Sequence, residues 1–168
     1  NNLTSFVIPN GVTKIEVNTF QNCSNLRSIV IPDGVTKIGM GAFYECTNLT
    51  SIEIPDGVTK IENQTFYDCQ NLSSIVIPDG VLSIGDNAFY MCLGLTSLTI
   101  PNSVTSIGAS AFNSCWYLTT VVLSNNLSTI PDGTFNACTA LTTIYYSGTA
   151  SGAPWGATNA TVRANNTL

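Results

Sequence analysis

The feature that most constrains this chain is a period. Leu3, Leu26, Leu49, Leu72, Leu95, Leu118 and Leu141 stand 23 residues apart, and Cys23, Cys46, Cys69, Cys92, Cys115 and Cys138 keep the same interval. A fixed repeat carried through six copies makes each copy one turn of a solenoid, with equivalent side chains stacked on one another. A single turn of this kind cannot bury its apolar face alone; only its neighbours cover it. The chain of 168 residues therefore reads as one elongated stack rather than a globule.

Aligned, the copies read L-x-x-I-x-I-P-[DN]-G-V-T-x-I-x-x-x-[AT]-F-x-x-C-x-x. Ile29 and Ile31 alternate with Ser28 and Val30, the period of two that marks a strand with one buried face. Pro32, Pro55, Pro78 and Pro101 end those strands, because proline has no N–H to give a ladder. The Asp-Gly pairs at 33–34, 56–57 and 79–80 turn the chain. Val35 and Ile38 then return inward, and Phe43, Cys46 and Leu49, three apart, predict a short helical or 3₁₀ turn facing the core. The expectation is a face of short parallel strands about 4.8 Å apart, with turns and short helical segments elsewhere.

The pattern weakens toward the C-terminus. Leu123 and Ser124 replace Ile-Pro in the sixth copy, and Pro131 stands where Gly or Glu is usual. The repeats are expected over residues 1–146, as six copies from Leu3 plus a seventh strand. Residues 147–168, rich in Gly, Ala and Ser around Trp155, are expected to cap the stack with Trp155 as plug. The first copy starts with a full-strength strand at Phe6–Ile8 and nothing before it to cover the core, so further repeats are expected ahead of Asn1.

Composition narrows the chemistry. There is no histidine, which removes the usual activation of a Ser or Cys nucleophile and the commonest metal ligand. An enzyme is not expected, and no cofactor is implied. The net charge is −5, and the five basic residues are scattered, so the clustered footprint of a nucleic-acid binder is missing. No apolar run approaches the roughly 18 residues of a spanning segment, so no membrane insertion is expected.

Three columns invite a functional reading. Six cysteines suggest disulfides, but stacked equivalents hold Cβ atoms nearly 5 Å apart where a disulfide wants about 3.8 Å. They are expected to be free, buried and apolar in role. Asp33, Asp56 and Asp79 stack about 5 Å apart, yet Ca²⁺ wants about 6–8 oxygens converging on one point. These read as turn residues, and Lys14, Lys37 and Lys60 as a solvated edge.

This pattern, LxxIxIPxxVTxIGxxAFxxC over residues 3–140, resembles the BspA-like or treponemal subgroup of leucine-rich repeats. The segment Ala153-Pro154-Trp155-Gly156-Ala157 is similar to C-terminal caps of that family. The resemblance implies a leucine-rich-repeat solenoid. It also implies a secreted or surface-anchored protein of oral or gut bacteria, or of a mucosal protozoan. Its role would be adhesion to host extracellular matrix or to other cells through a protein partner, with no enzymatic activity in the repeats. The alternative is a structural spacer displaying other domains of a larger surface protein. One departure is plain: the Asn ladder of ordinary leucine-rich repeats gives way to the Pro-Asp-Gly turn.

Function must sit where the copies differ. The strand face offers Ser28, Ser51, Ser74, Ser97 and Thr120 beside Val30, Glu53, Val76, Thr99, Val122 and Tyr145, with little of the Trp and Arg that dominate hot spots. The flank after Phe offers more. Tyr44, Tyr67 and Tyr90 fall in one column, Met91, Leu93, Trp116 and Tyr117 lie nearby, and residues 87–131 carry no charged side chain. That stretch is the first candidate for an interaction surface. The competing reading is that the tyrosines shield the Phe column and Trp116 fills a gap.

Overall fold

A computed structural model describes residues 2–165; Asn1 and residues 166–168 of the expected capping segment lie outside it. The chain winds as a parallel β-solenoid. One face carries β1 (Ser5–Val7), β3 (Ser28–Val30), β5 (Ser51–Glu53), β7 (Ser74–Val76), β9 (Ser97–Thr99), β11 (Thr120–Val122), β12 (Thr143–Tyr145) and β13 (Thr161–Arg163). A second face carries two-residue strands: β2 (Lys14–Ile15), β4 (Lys37–Ile38), β6 (Lys60–Ile61), β8 (Ser83–Ile84) and β10 (Ser106–Ile107). Pairing within the repeats follows the 23-residue register, as in Ser5↔Ser28 and Val121↔Ile144.

The second ladder ends for a chemical reason. The N–H groups of Gly39, Gly85 and Gly108 donate to Ile15, Ile61 and Ile84 of the preceding coil. In the sixth coil Pro131 holds that position and has no N–H. Ser124, where earlier coils place proline, is fully buried, and its hydroxyl donates to the Val104 carbonyl at 2.6 Å.

The core is a set of columns. The Leu column from Leu26 to Leu141 is fully buried. Phe20, Phe43, Phe66, Phe89, Phe112 and Phe135 stack with centroids 5.2–5.8 Å apart. Each thiol from Cys46 onward donates to the carbonyl of the preceding coil's Phe, as Cys92 Sγ does to Phe66 at 3.1 Å. The same Phe carbonyl accepts the Cys N–H of its own coil, so the Cys column cross-links coils through hydrogen bonds.

The helical expectation for the Phe–Cys arc is corrected. Among the described residues there is no helix; the arc is a chain of turns. Two residues per coil are left-handed, Asn18, Gly41, Gln64, Asn87, Ser110 and Gly133 in one column, Asn22, Glu45, Asp68, Met91, Ser114 and Ala137 in the other. A 3₁₀ segment would aim every N–H back along its own chain. Here the left-handed residues turn every second peptide plane along the solenoid axis. The N–H groups of Gly41, Phe43 and Glu45 donate to Asn63, Thr65 and Tyr67 one coil on, while Ala42, Tyr44 and Cys46 close turns within the coil. The pattern runs on to Phe135, which donates to Trp155 at 3.0 Å.

The end of the stack is closed by Trp155. It is fully buried, lies edge-on to Tyr146 at 5.3 Å, and donates Nε1–H to Ser151 at 2.8 Å. Beyond it β13 returns to the strand face and pairs with β12, placing Arg163 beside Tyr145.

Candidate functional site

The flank singled out in the sequence divides in two. Tyr44, Tyr67 and Tyr90 form a half-buried stack with centroids 4.6 and 4.9 Å apart. Tyr67 has both faces covered by its neighbours and Tyr44 and Tyr90 one face each. Burial and then the Glu45 carboxylate push the Tyr44 phenol up; burial and then Tyr90 do the same for Tyr67. The stack stops at Tyr90 because the next coil has Asn113 in that column. Met91 and Leu93 are half-buried. Trp116 is 45% and Tyr117 63% exposed, and neither has a ring contact with an aromatic side chain among the described residues. Trp116 is thus more open to water than the tyrosines, which cover one another.

The strand face carries more exposed apolar surface than its sequence suggests. Val76 is 74% and Val30 57% exposed, higher than either Trp116 or most other large apolar side chains. Glu53 and Thr99 are exposed, and Val122 and Tyr145 half-buried. This face is not one continuous sheet. Its ladder falls into β1–β3, β5–β7 and β9–β11–β12–β13, with no strand pairing across β3/β5 or β7/β9. Those coils stay joined, by Thr50 N–H to Arg27 at the start of β5 and by the arc, through Phe43 N–H to Thr65 and Phe89 N–H to Ala111. No sequence signal marks the openings, since Ser28–Val30, Ser51–Glu53 and Ser74–Val76 are nearly the same tripeptide.

The remaining columns behave as structure. All six cysteines are buried thiols outside any disulfide. Burial pushes up the thiols of Cys23, Cys46, Cys69, Cys92 and Cys115, that of Cys46 to about 12. Buried thiols of that kind are not nucleophiles at neutral pH. No group of three or more His, Cys, Asp or Glu residues able to hold a metal ion occurs among the described residues. No helix there is long and apolar enough to cross a membrane. Lys14 and Lys37 sit side by side in the β2–β4 ladder, and Lys60 pairs with Glu62 at 2.6 Å.

Solved structures with this architecture come from several bacteria. TpLRR, a leucine-rich-repeat protein of T. pallidum, is 33% identical with a TM-score of 0.82, over 89% of this chain and 71% of its own. A leucine-rich-repeat protein from Bacteroides ovatus is 37% identical with a TM-score of 0.79, over 84% of this chain and 39% of its own. A leucine-rich cell surface protein from Faecalibacterium prausnitzii is 29% identical with a TM-score of 0.67, over 83% of this chain and 46% of its own. The chain thus spans less than half of the latter two. A search of curated protein sequences returns no match. The family model described as BspA type leucine-rich repeat region, six copies, matches residues 1–81 and 59–153. With that match laid over the 23-residue register and the Leu, Phe and Cys columns, this chain belongs to the BspA-type leucine-rich-repeat family.

Proposed function

We propose that the chain is a non-enzymatic interaction module of a cell-surface or secreted protein, serving adhesion to host matrix proteins or to other cells. The observation that carries this reading is the flank formed by the half-buried Tyr44–Tyr67–Tyr90 stack and the exposed Trp116 and Tyr117, of which Tyr90, Trp116 and Tyr117 lie in the stretch free of charge. Aromatic side chains standing in water without a partner of their own are the usual anchors of protein interfaces. Family membership supports the interaction class, and the similar protein from Faecalibacterium prausnitzii is described as a cell surface protein. Residues 147–165 serve this module as its terminal cap.

The test is capture of matrix proteins and of intact cells by the immobilised chain, repeated with Tyr90→Ser/Trp116→Ser after circular dichroism has shown the fold intact. Loss of one such anchor typically weakens an interface by about 2 kcal/mol, about thirtyfold in affinity. Binding that the double variant retains in full would move the site off this flank. A wild-type chain that captures neither proteins nor cells would leave the spacer as the function.

A further inference from the structure

The strand face carries a trough that the flank does not need. Three open recesses run side by side across it. One of about 280 Å³ lies just past the ends of β3 and β5, between Ile31 and Asp33 on one side and Glu53 and Asp56 on the other, one of about 580 Å³ over β5 and β7, and one of about 360 Å³ between β7 and β9. The first two share Glu53 and Asp56, and the last two share Val76 and Asp79, so they form one continuous depression. Ile75 lies at its floor. Its counterparts Ile29, Ile52, Leu98, Val121 and Ile144 are buried, and Ile75 alone among these is part-exposed.

The chemistry of this trough selects its occupant. Val30, Glu53 and Val76 follow one another along the axis as apolar, acidic, apolar, and Asp33, Asp56 and Asp79 line one rim. All four carboxylates are exposed, and none has a cationic partner, since the ion pair among the described residues is Lys60–Glu62. No Lys or Arg lines any of the three recesses. Unpaired carboxylates around exposed valines repel anionic surfaces and attract ammonium or guanidinium groups carried on aliphatic stems. From β3 to β9 is three strand spacings, about 14 Å, which an extended chain covers in four or five residues.

The geometry points to this trough as a docking site for an extended basic-aliphatic segment of a protein partner, lying across the strands with a Lys or Arg over Glu53 and aliphatic groups on Val30, Ile75 and Val76. This inference rests on the reading of the chain as a protein-binding module, and it names the chemistry of a partner. It places that contact on a different face from the aromatic flank.

The probe is the blocked hexapeptide Val-Val-Lys-Lys-Val-Val, which presents Val, Lys, Val on either face of an extended chain. It is titrated into the ¹⁵N-labelled chain and followed by amide chemical shifts. Shifts confined to Ser51–Ile54 and Ser74–Asp79 are expected, weakening with salt. The Val-Val-Glu-Glu-Val-Val peptide is expected to leave these amides unmoved, and Ser-Ser-Lys-Lys-Ser-Ser to bind more weakly. The Glu53→Gln/Asp56→Asn/Asp79→Asn variant, altered only at exposed positions, is expected to bind about tenfold more weakly, a few-fold for each charge pair. Shifts equally strong at Glu45, Asp68 and Asp86 would reveal attraction by net charge alone and overturn the site, as would no shift at all. Either failure leaves the capture experiment on the aromatic flank untouched, so the two readings fall separately.

Discussion

Replacing Trp155 with Ala tests whether this chain behaves as a stack of coupled coils. The indole is fully buried against Tyr146, and its backbone carbonyl takes the Phe135 N–H. An aromatic ring of this kind buries about 150–250 Å², which at about 25 cal/mol per Å² is about 4–6 kcal/mol. Measured Trp-to-Ala costs of about 3–5 kcal/mol agree, and about 4 kcal/mol is the working figure. In a globule that loss would lower the stability of the whole. In a solenoid each coil touches only its neighbours, so the loss falls on the sixth coil and the segment that covers it. Amide hydrogen exchange resolves the difference. Exchange at Phe135, Cys138 and Ile144 should quicken about a thousandfold, the factor that about 4 kcal/mol sets for local opening. Phe43 and Phe66 should keep their protection. Equal loss in every coil would refute the nearest-neighbour picture, and unchanged exchange at Phe135 would refute the role given to Trp155.

Three further outcomes follow from the same structure. In a denaturing titration of unreduced protein all six thiols should react, whereas the native chain should resist alkylation at pH 8; two missing thiols would mean a disulfide. Stability should be fully present below about pH 9 and fall above it, because the unfolded chain releases thiol protons there while folded Cys46 holds its own to about 12. The loss per such thiol is about 1.4 kcal/mol per pH unit, so urea midpoints at pH 8, 9 and 10 should decline, less steeply in Cys46→Ala; a flat profile would count against it. Gly41→Ala should cost more than Gly133→Ala in urea unfolding. Both are left-handed, a conformation that costs Ala about 1 kcal/mol, but a Cβ at Gly41 would run into Asn18 Oδ1 while Gly133 has open space.

Much of this fold is legible in one dimension. A strict 23-residue spacing converts sequence separation into stacking, so Ile29 must lie beside Phe6, and Leu26 below Leu49, without any long-range information. The Leu, Phe and Cys columns and the thiols without disulfides all follow from that translation. Periodicity of three in Phe43, Cys46 and Leu49 says that those side chains face inward, and it is silent on how the backbone gets there. The left-handed positions are held by Asn, Gly, Gln and Ser in one column and by Asn, Glu, Asp, Met, Ser and Ala in the other. Only Asn, Asp and Gly favour that conformation locally, so no single residue type announces it across either column; the hydrogen bonds to the next coil impose it.

The two candidate surfaces divide in the same way. The tyrosine column and the uncharged stretch from 87 to 131 can be read from spacing and composition, because a repeat position fixes which residues share a column. Exposure cannot be read so, since Trp116 and Trp155 are the same residue type and one is half in water while the other is buried. The openings beside β5 and β7 are equally hidden, because near-identical tripeptides pair across one coil boundary and not across the next. A repeat encodes its own coil and its register. Whether a given pair of coils closes on the strand face depends on hydrogen bonds and packing summed around the whole turn, and only the stacked molecule carries out that sum.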